Sequence, residues 1–172
     1  ELKLQQRDRA HVEALRQFLE SSYPIHFVKG VEAFSLRITS KSLVESLKRF
    51  GIVPQKSAYG RIHLLENNRH FWRGMIDGDG HVSIATYAKK YRPRISLVGN
   101  HILMKQFAAF VHKRCPTLNP GVRPLGNIWQ VALTGHGATL IIDLLYSSCS
   151  IALERKLFRA RSIMQKQLYL RI

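Results

Sequence analysis

The chain has 172 residues, 45% of them apolar, which suits one compact domain or two closely packed small ones and argues against a disordered or collagen-like chain. It contains no run of about eighteen apolar residues and no recognisable signal peptide, so we expect no membrane span. The 27 lysines and arginines outnumber the 11 acidic residues and give a net charge of +16, which favours a polyanionic partner over a role in solubility alone.

The basic residues are spread along predicted strands and turns and are not gathered on one amphipathic helix. This distribution favours nucleic acid over an acidic membrane surface. Cys115 and Cys149 lack the spacing of metal ligands, and we expect them to be reduced thiols. We therefore expect an intracellular protein that lies with nucleic acid, in the cytoplasm or nucleoid, or in an organelle if the host is eukaryotic.

The first part of the chain reads as a strand, a helix, a hairpin and a second helix. Leu2 and Leu4 alternate with polar residues in a short strand, and Asp8 is placed to cap a helix over residues 9–20. A hairpin is predicted over residues 25–39. Ser40 begins the next helix, which ends at Phe50 and Gly51.

A similar order follows a central helix, which begins at Asn67 or Asn68. Strands are predicted over residues 81–87 and 94–98, joined by a basic turn over residues 89–93. A helix over residues 101–114, a hairpin about Gly126 and two further helices complete the chain.

The two halves therefore look like a duplication. Leu2 and Leu4 align with Ile95 and Leu97, the segment 34–38 aligns with residues 129–133, and Lys56 aligns with Lys156. The central helix and the strand after it have no equivalent in the first half.

The end of the central helix carries the residues most suggestive of chemistry. Asp77 and Asp79, with Gly78 between them, suit a divalent cation such as Mg²⁺, which prefers oxygen ligands. The aspartates could instead only end the helix, although their charge opposes the helix dipole there. Gly74 and Gly78 lie one turn apart and would admit a second helix, or would allow close packing on the sheet.

Residues 72–80 (WRGMIDGDG) resemble the signature motif of the LAGLIDADG homing endonucleases. The end of one family repeat is resembled by residues 47–57. The end of the next repeat is resembled by residues 145–146 together with residues 153–156. The resemblance implies an α+β fold of two pseudo-symmetric αββαββα-type repeats with antiparallel DNA-binding sheets. Residues 1–66 would form a first repeat truncated at its N-terminus, without motif helix or first strand, and residues 67–172 the second, with its motif helix at 67–80.

The family resemblance also implies a site-specific endonuclease for double-stranded DNA, in which two motif helices pack together and each delivers a metal ligand. Here Asp79 and Gly78 would hold Mg²⁺ or Mn²⁺, with Ca²⁺ as a non-catalytic substitute. Asp77 would join the two glycines, Gly74 and Gly78, at the helix interface. Lys56, Lys156 and Gln6 would lie near the attacking water, although Gly99 stands at the position that matches Gln6.

Strand alternation predicts which side chains face DNA. If Val82 and Ile84 point inward, their neighbours point toward a duplex, and each could otherwise be an ordinary solvent-facing residue. The predicted DNA-facing residues are Lys3, Ser35, Arg37, Ser83, Ala85, Tyr87, Lys89, Lys90, Arg92, Arg94, Ser96, Gln130 and Thr134.

A nuclease of this kind needs two acidic motif helices, and the sequence contains one. The missing helix could belong to a separate N-terminal segment or to a second chain, or the protein could be a non-cleaving DNA- or RNA-binding protein, such as a maturase or regulator on the same scaffold. An RNA-binding protein of ribosomal type would explain the charge but not residues 77–80.

Overall fold

The computed structural model describes residues 1–52, 61–87 and 90–169, which form two antiparallel sheets and six α-helices. The strands are β1 (Leu2–Gln5), β2 (Ile25–Val28), β3 (Ala33–Leu36), β4 (Gly80–Tyr87), β5 (Lys90–Gly99), β6 (Val122–Leu125) and β7 (Ile128–Thr134). The helices are α1 (Arg9–Phe18), α2 (Lys41–Arg49), α3 (Arg69–Asp79), α4 (His101–Arg114), α5 (Gly135–Tyr146) and α6 (Glu154–Tyr169). Within these ranges, no helix is both long and apolar enough to cross a lipid bilayer.

The two sheets share one strand order. The first sheet is β1-β3-β2, and the second sheet is β4-β5-β7-β6, so that β5-β7-β6 repeats the first order with β4 added at the edge. Leu2 lies opposite Leu36, and Ile95 lies opposite Leu133. With β1 aligned on β5, these registers place Leu36 of β3 at the position of Leu133 in β7. The sequence had aligned Leu36 with Val131, so the alignment of β3 with β7 was wrong by two residues.

The main hydrophobic core lies between the second sheet and helices α3, α4 and α5. Trp72 and Ile76 of α3 are fully buried, and the Trp72 ring packs 5.1 Å from that of Phe107 in α4. Burying a large apolar side chain contributes about 1.5–3 kcal/mol. This packing fixes the inner face of α3, so its opposite face and its end are the parts available for function.

The first sheet has a much thinner core. Val12 of α1 is buried, but Phe18 at the end of that helix is 67% exposed. Helix α2 has no buried residue. The inner side of the first sheet is thus only partly covered by the described residues.

Helix starts were predicted well where a side chain has no competing partner. The Ser40 hydroxyl accepts from the Leu43 amide at 3.2 Å, and the Asn68 side chain accepts from the His70 amide at 2.8 Å. Gly51 ends α2 with a φ of 79°. The prediction that Asp8 caps α1 was wrong, because its side chain makes no capping hydrogen bond and binds Arg155 instead.

The predicted basic turn at residues 89–93 was also wrong in its extent. Strand β5 already begins at Lys90, and Pro93 lies opposite Ile84 within the β4-β5 ladder. The second strand of this hairpin therefore begins four residues earlier than predicted, at Lys90 instead of Arg94, and includes the exposed Arg92.

Candidate metal and nucleic-acid site

The two aspartates at the end of α3 occupy opposite environments. Residues two apart on a helix point to different sides, and here Asp77 is 9% exposed whereas Asp79 is exposed. The Asp77 carboxylate accepts hydrogen bonds from the Tyr146 hydroxyl at 2.7 Å and from the Leu153 amide at 3.0 Å. Burial raises the pKa of Asp77, and these two hydrogen bonds oppose the rise. Asp77 therefore fastens α3 to the segment that joins α5 to α6.

Asp79 faces solvent at the edge of a cavity of about 430 Å³, beside Gly74, Met75 and Asn100. The described residues contain no group of three or more histidine, cysteine or acidic side chains that could hold a metal ion. One carboxylate is nevertheless a suitable donor for Mg²⁺, which is often bound by one or two carboxylates together with substrate phosphates. The donors found among the described residues thus fit part of a metal site and not a complete one.

Lys156 lies directly beneath this helix end. Its ammonium group is almost fully buried and donates to the carbonyl oxygens of Ile76 at 2.6 Å, Asp77 at 2.8 Å and Gly80 at 2.7 Å. Burial lowers the pKa of Lys156, while the nearby carboxylates of Asp77 and Asp79 act in the opposite direction. The structure thus brings Lys156 next to the predicted acidic pair.

The face of α3 that carries Gly74 and Gly78 is open. A Cβ atom at either glycine would meet nothing within 4 Å. A groove of about 450 Å³ runs between this face and the inner side of the first sheet, where it is lined by Leu2, Leu4 and Leu15. Asp77 also borders the groove, although its carboxylate points into the contacts described above.

The outward faces of both sheets carry most of the predicted DNA-facing residues. Arg94 lies between Ser83 and Thr134 in the middle of the second sheet. In the first sheet, the Glu1 carboxylate lies 4.0 Å from Lys3 and 3.6 Å from Arg37. Ala85, Arg92 and Thr134 are exposed, and Gln130 is half-buried.

Two predicted DNA-facing serines are less accessible than strand alternation suggested. Ser35 is 5% exposed because Glu1 lies over it and accepts a 2.6 Å hydrogen bond from its hydroxyl. Ser96 is 6% exposed, between His81 and Ala132 of the neighbouring strands. Short side chains at the centre of a sheet are covered by their longer neighbours.

Several predicted residues lie partly or wholly outside this description. Lys56 and Lys89 fall outside the described residues, and Tyr87 and Lys90 are described in their backbone alone. Gln6 is exposed, and its backbone amide donates to the Glu32 carbonyl at 2.9 Å. The structure thus gives no side-chain contact for any of these five residues.

Sequence reasoning missed three neighbours of the site. His81 follows the motif and lies on the outward face with Ser83; partial burial, then Arg159 and Lys156, lower its pKa. Tyr146 and Arg155 lie in segments that resemble a repeat end, but their contacts were not predicted, because their partners are 69 and 147 residues away in the chain. Only the alternation of β4 could have indicated His81.

No protein-family model matches the chain, and no curated protein sequence matches it either. Among solved structures, the LAGLIDADG meganuclease I-AabMI bound to uncleaved DNA aligns with 98% of this chain and 81% of its own, with a TM-score of 0.63 and 14% identity. The LAGLIDADG homing endonuclease I-LtrWI bound to target DNA aligns with 98% of this chain and 78% of its own, with a TM-score of 0.63 and 11% identity.

The chain has the LAGLIDADG homing endonuclease fold. It spans about 65% of the length of another homing endonuclease, I-CvuI, with a TM-score of 0.45. In this LAGLIDADG fold, α3 carries Asp77 and Asp79 in its last turn, and β4 of the second sheet follows directly from its end.

Proposed function

We propose that the chain forms part of a site-specific endonuclease that hydrolyses double-stranded DNA with a divalent metal ion. The observation that carries the proposal is the contrast between the two motif aspartates. The Asp77 carboxylate is buried and holds structural hydrogen bonds, whereas the Asp79 carboxylate is exposed and can bind a cation. The two sheets carry many basic residues. The fold, shared with proteins crystallised on DNA, supports the same function.

Asp79 would bind Mg²⁺ or Mn²⁺ through its carboxylate, with help from the Gly78 carbonyl, which Lys156 leaves uncontacted. A bound divalent ion supplies Lewis acidity toward the scissile phosphate and makes its water more acidic. The chain itself holds the carboxylate at a fixed helix end. We also propose that Lys56 and Gln6 lie near that water, because they match family residues at that place.

The two sheets would lie on the DNA. Phosphate contacts need charge more than accurate placement, so we assign them to Lys3, Arg37 and Arg92 at the exposed strand ends. Arg94 and Gln130 lie further in and present the bidentate groups that read base edges in the major groove. This division follows exposure, since Arg94 and Gln130 are half-buried and Arg37 and Arg92 are exposed.

A second motif helix would occupy the groove beside α3. Among the described residues, this groove lies between the open glycine face and Leu2 and Leu4 of β1, the outer edge of β1 has no partner strand, and α2 has no buried residue. Helix α2 follows β3 as α5 follows β7, and α5 packs on α3. We therefore propose that a helix and strand, from an N-terminal segment or a separate chain, complete residues 1–66 as α3 and β4 complete residues 67–172.

The metal assignment is tested with DNA selected for affinity from a random duplex pool. Binding and cleavage are measured in Mg²⁺, Mn²⁺ and Ca²⁺, for the chain alone and for an extended form that carries the proposed second motif helix and strand. We expect the extended form to cleave with Mg²⁺ or Mn²⁺ and only to bind with Ca²⁺. Asp79→Asn should abolish cleavage and preserve binding, whereas Asp143→Asn, an exposed control on α5, should change neither.

The second candidate is a sequence-specific DNA- or RNA-binding protein that does not cleave. It is favoured by one observation, the single exposed carboxylate at the end of α3 without further metal-binding side chains in the described part of the chain. Selective binding with no cleavage by the extended form in any metal would establish this alternative. Undiminished cleavage by Asp79→Asn would instead remove Asp79 from the reaction.

A further inference from the structure

Helix α6 begins with two adjacent cations that hold two different parts of the molecule. Lys156 binds three carbonyl groups at the end of α3, and Arg155 binds the Asp8 carboxylate at the start of α1, with nitrogen-to-oxygen distances of 3.2 and 3.3 Å. The first turn of α6 therefore lies where the helix end that carries Asp79 meets the first sheet.

The end of α3 needs a cation for elementary electrostatic reasons. A helix C-terminus exposes carbonyl groups without partners and carries a partial negative charge, which acidic residues in the last turn make worse. Asp77 and Asp79 both lie in that turn. Lys156 brings a full positive charge and three donors to the same point, so it offsets the repulsion and satisfies the carbonyls together.

The geometry leaves Lys156 no capacity for another partner. An ammonium group has three N–H donors, and all three are directed at carbonyl oxygens within 2.8 Å. A lysine that contacts a phosphate or the attacking water would have to give up at least one of these bonds inside a buried environment, where an unpaired carbonyl costs about 1–3 kcal/mol.

The neighbouring segment supports the same arrangement from other directions. The Tyr146 hydroxyl and the Leu153 amide hold the Asp77 carboxylate, and the Lys156 amide donates to the Leu153 carbonyl at 2.8 Å. The last turn of α3 is thus held through one side chain and three backbone carbonyls. Asp79 lies in the same turn, two residues after Asp77, so the position of its backbone is fixed by these contacts.

We propose that Lys156 is a positioning residue, which fixes the last turn of α3 and so the direction of the Asp79 carboxylate, and that it does not touch the reacting groups. The proposal rests on the metal role proposed for Asp79. It differs from the expectation that Lys156 borders the attacking water, and the two can be separated by experiment.

The first test observes the lysine ammonium groups by ¹H–¹⁵N NMR in the free chain and with the selected duplex. We expect one slowly exchanging ammonium signal that is absent from Lys156→Met, present in the exposed control Lys113→Met, and unchanged when DNA is added. Rapid exchange in the free chain, or movement of the signal on DNA binding, would overturn the proposal. This outcome does not depend on metal binding or cleavage.

The second test uses the sign of a change in Mn²⁺ affinity, measured by paramagnetic broadening of amide signals around Asp79. If Lys156 acted only through its charge, its removal would tighten cation binding. A positioning residue predicts the reverse, roughly tenfold weaker binding in Lys156→Met, as for other residues that orient metal ligands. Tighter binding in Lys156→Met would overturn the proposal.

Lys156→Arg separates charge from geometry and guards against a Met variant that does not fold. The planar guanidinium keeps the charge but cannot direct three donors at the converging carbonyls. We expect it to weaken Mn²⁺ binding as well, and wild-type affinity in Lys156→Arg would contradict the proposal. If Mn²⁺ broadens no signal near Asp79 in the wild-type chain, the metal assignment fails, while the ammonium signal still decides the contacts of Lys156.

Discussion

The Tyr146 hydroxyl donates a 2.7 Å hydrogen bond to the Asp77 carboxylate, across 69 residues of sequence. This bond separates the roles of two aspartates that look equivalent in the sequence. It joins the end of α5 to the end of α3 and keeps Asp77 in the interior, so the exposed position falls to Asp79. The bond is therefore both a stabilising contact and part of what defines the proposed site.

Replacing Tyr146 with phenylalanine should reduce the free energy of unfolding by about 1–3 kcal/mol, because a buried carboxylate loses one of its two donors. Urea denaturation, followed by circular dichroism, measures the change. Tyr23→Phe is the matched control, since the Tyr23 hydroxyl donates to the Thr39 carbonyl at 2.9 Å in an exposed setting. Equal losses in the two variants would show that the Asp77 contact has no special weight.

The raised pKa of Asp77 predicts a specific pH dependence. Burial makes the folded state take up a proton more readily than the unfolded state. The contribution of Asp77 to stability therefore increases as the pH falls from its pKa in the folded state to its pKa in the unfolded state. Asp77→Asn does not titrate. Relative to wild type, the variant should therefore lose stability as the pH is lowered from 7 toward 4, measured as the difference in unfolding free energy.

The opposite trend would mean that the hydrogen bonds from Tyr146 and Leu153 outweigh burial and lower the pKa of Asp77. Comparing the two proteins at each pH removes the contribution of all other carboxylates, because those groups are common to both.

The open glycine face predicts that Gly74→Ala stabilises the chain. Alanine is favoured over glycine in a helix interior by about 0.8–1 kcal/mol, and the new methyl group meets no atom within 4 Å. The same methyl group would obstruct a closely packed second helix. We expect thermal unfolding of the chain alone to shift upward, while cleavage by the extended form falls.

Gly80→Ala is the control for this experiment. Its Cβ atom would lie 2.7 Å from the Ile76 Cα atom, so the variant should be destabilised in every form of the protein. A Gly74→Ala variant that keeps full cleavage by the extended form would argue against a helix on this face.

Local signals in the sequence predicted much of this structure. Helix α4 has its expected bounds, and the β6-β7 hairpin turns about Gly126 as expected, because hydrophobic periodicity, turn residues and capping residues agree in those segments. The metal role of Asp79 stays a prediction, and the structure places this residue at the surface.

The misses have a common physical origin in contacts between distant segments. Asp8 was expected to cap α1, but its carboxylate binds Arg155, and the ammonium group of Lys156 binds carbonyls at the end of α3, a contact that the sequence did not indicate. Neither partner could be seen from local pattern. Phe18 is exposed for a related reason, because it lines a groove that the described residues leave open.

The ion pair between Arg155 and Asp8 should couple the first sheet to α6. Asp8 is 8% exposed, so Arg155→Met would leave a nearly buried carboxylate without its ionic partner and destabilise the chain by about 1 kcal/mol. A double-mutant cycle with Asp8→Asn measures the interaction by urea denaturation. A coupling energy near zero would indicate an ordinary surface ion pair, while Arg161→Met on exposed α6 surface serves as the control.

The positions of Arg94 and Arg92 predict different contributions to DNA binding, to sequence selectivity and to the salt dependence of affinity respectively. Arg94 lies on the outward face between β4 and β7, so Arg94→Gln should weaken binding to the selected duplex more than binding to random DNA, if it reads a base. Exposed Arg92→Gln should weaken both equally and lower the slope of log affinity against log salt by about one. Lys113→Gln, on α4 behind the sheet, should change neither. Fluorescence anisotropy at several salt concentrations distinguishes these outcomes, and identical effects of all three variants would mean that the outward face of the second sheet is not the DNA-binding surface.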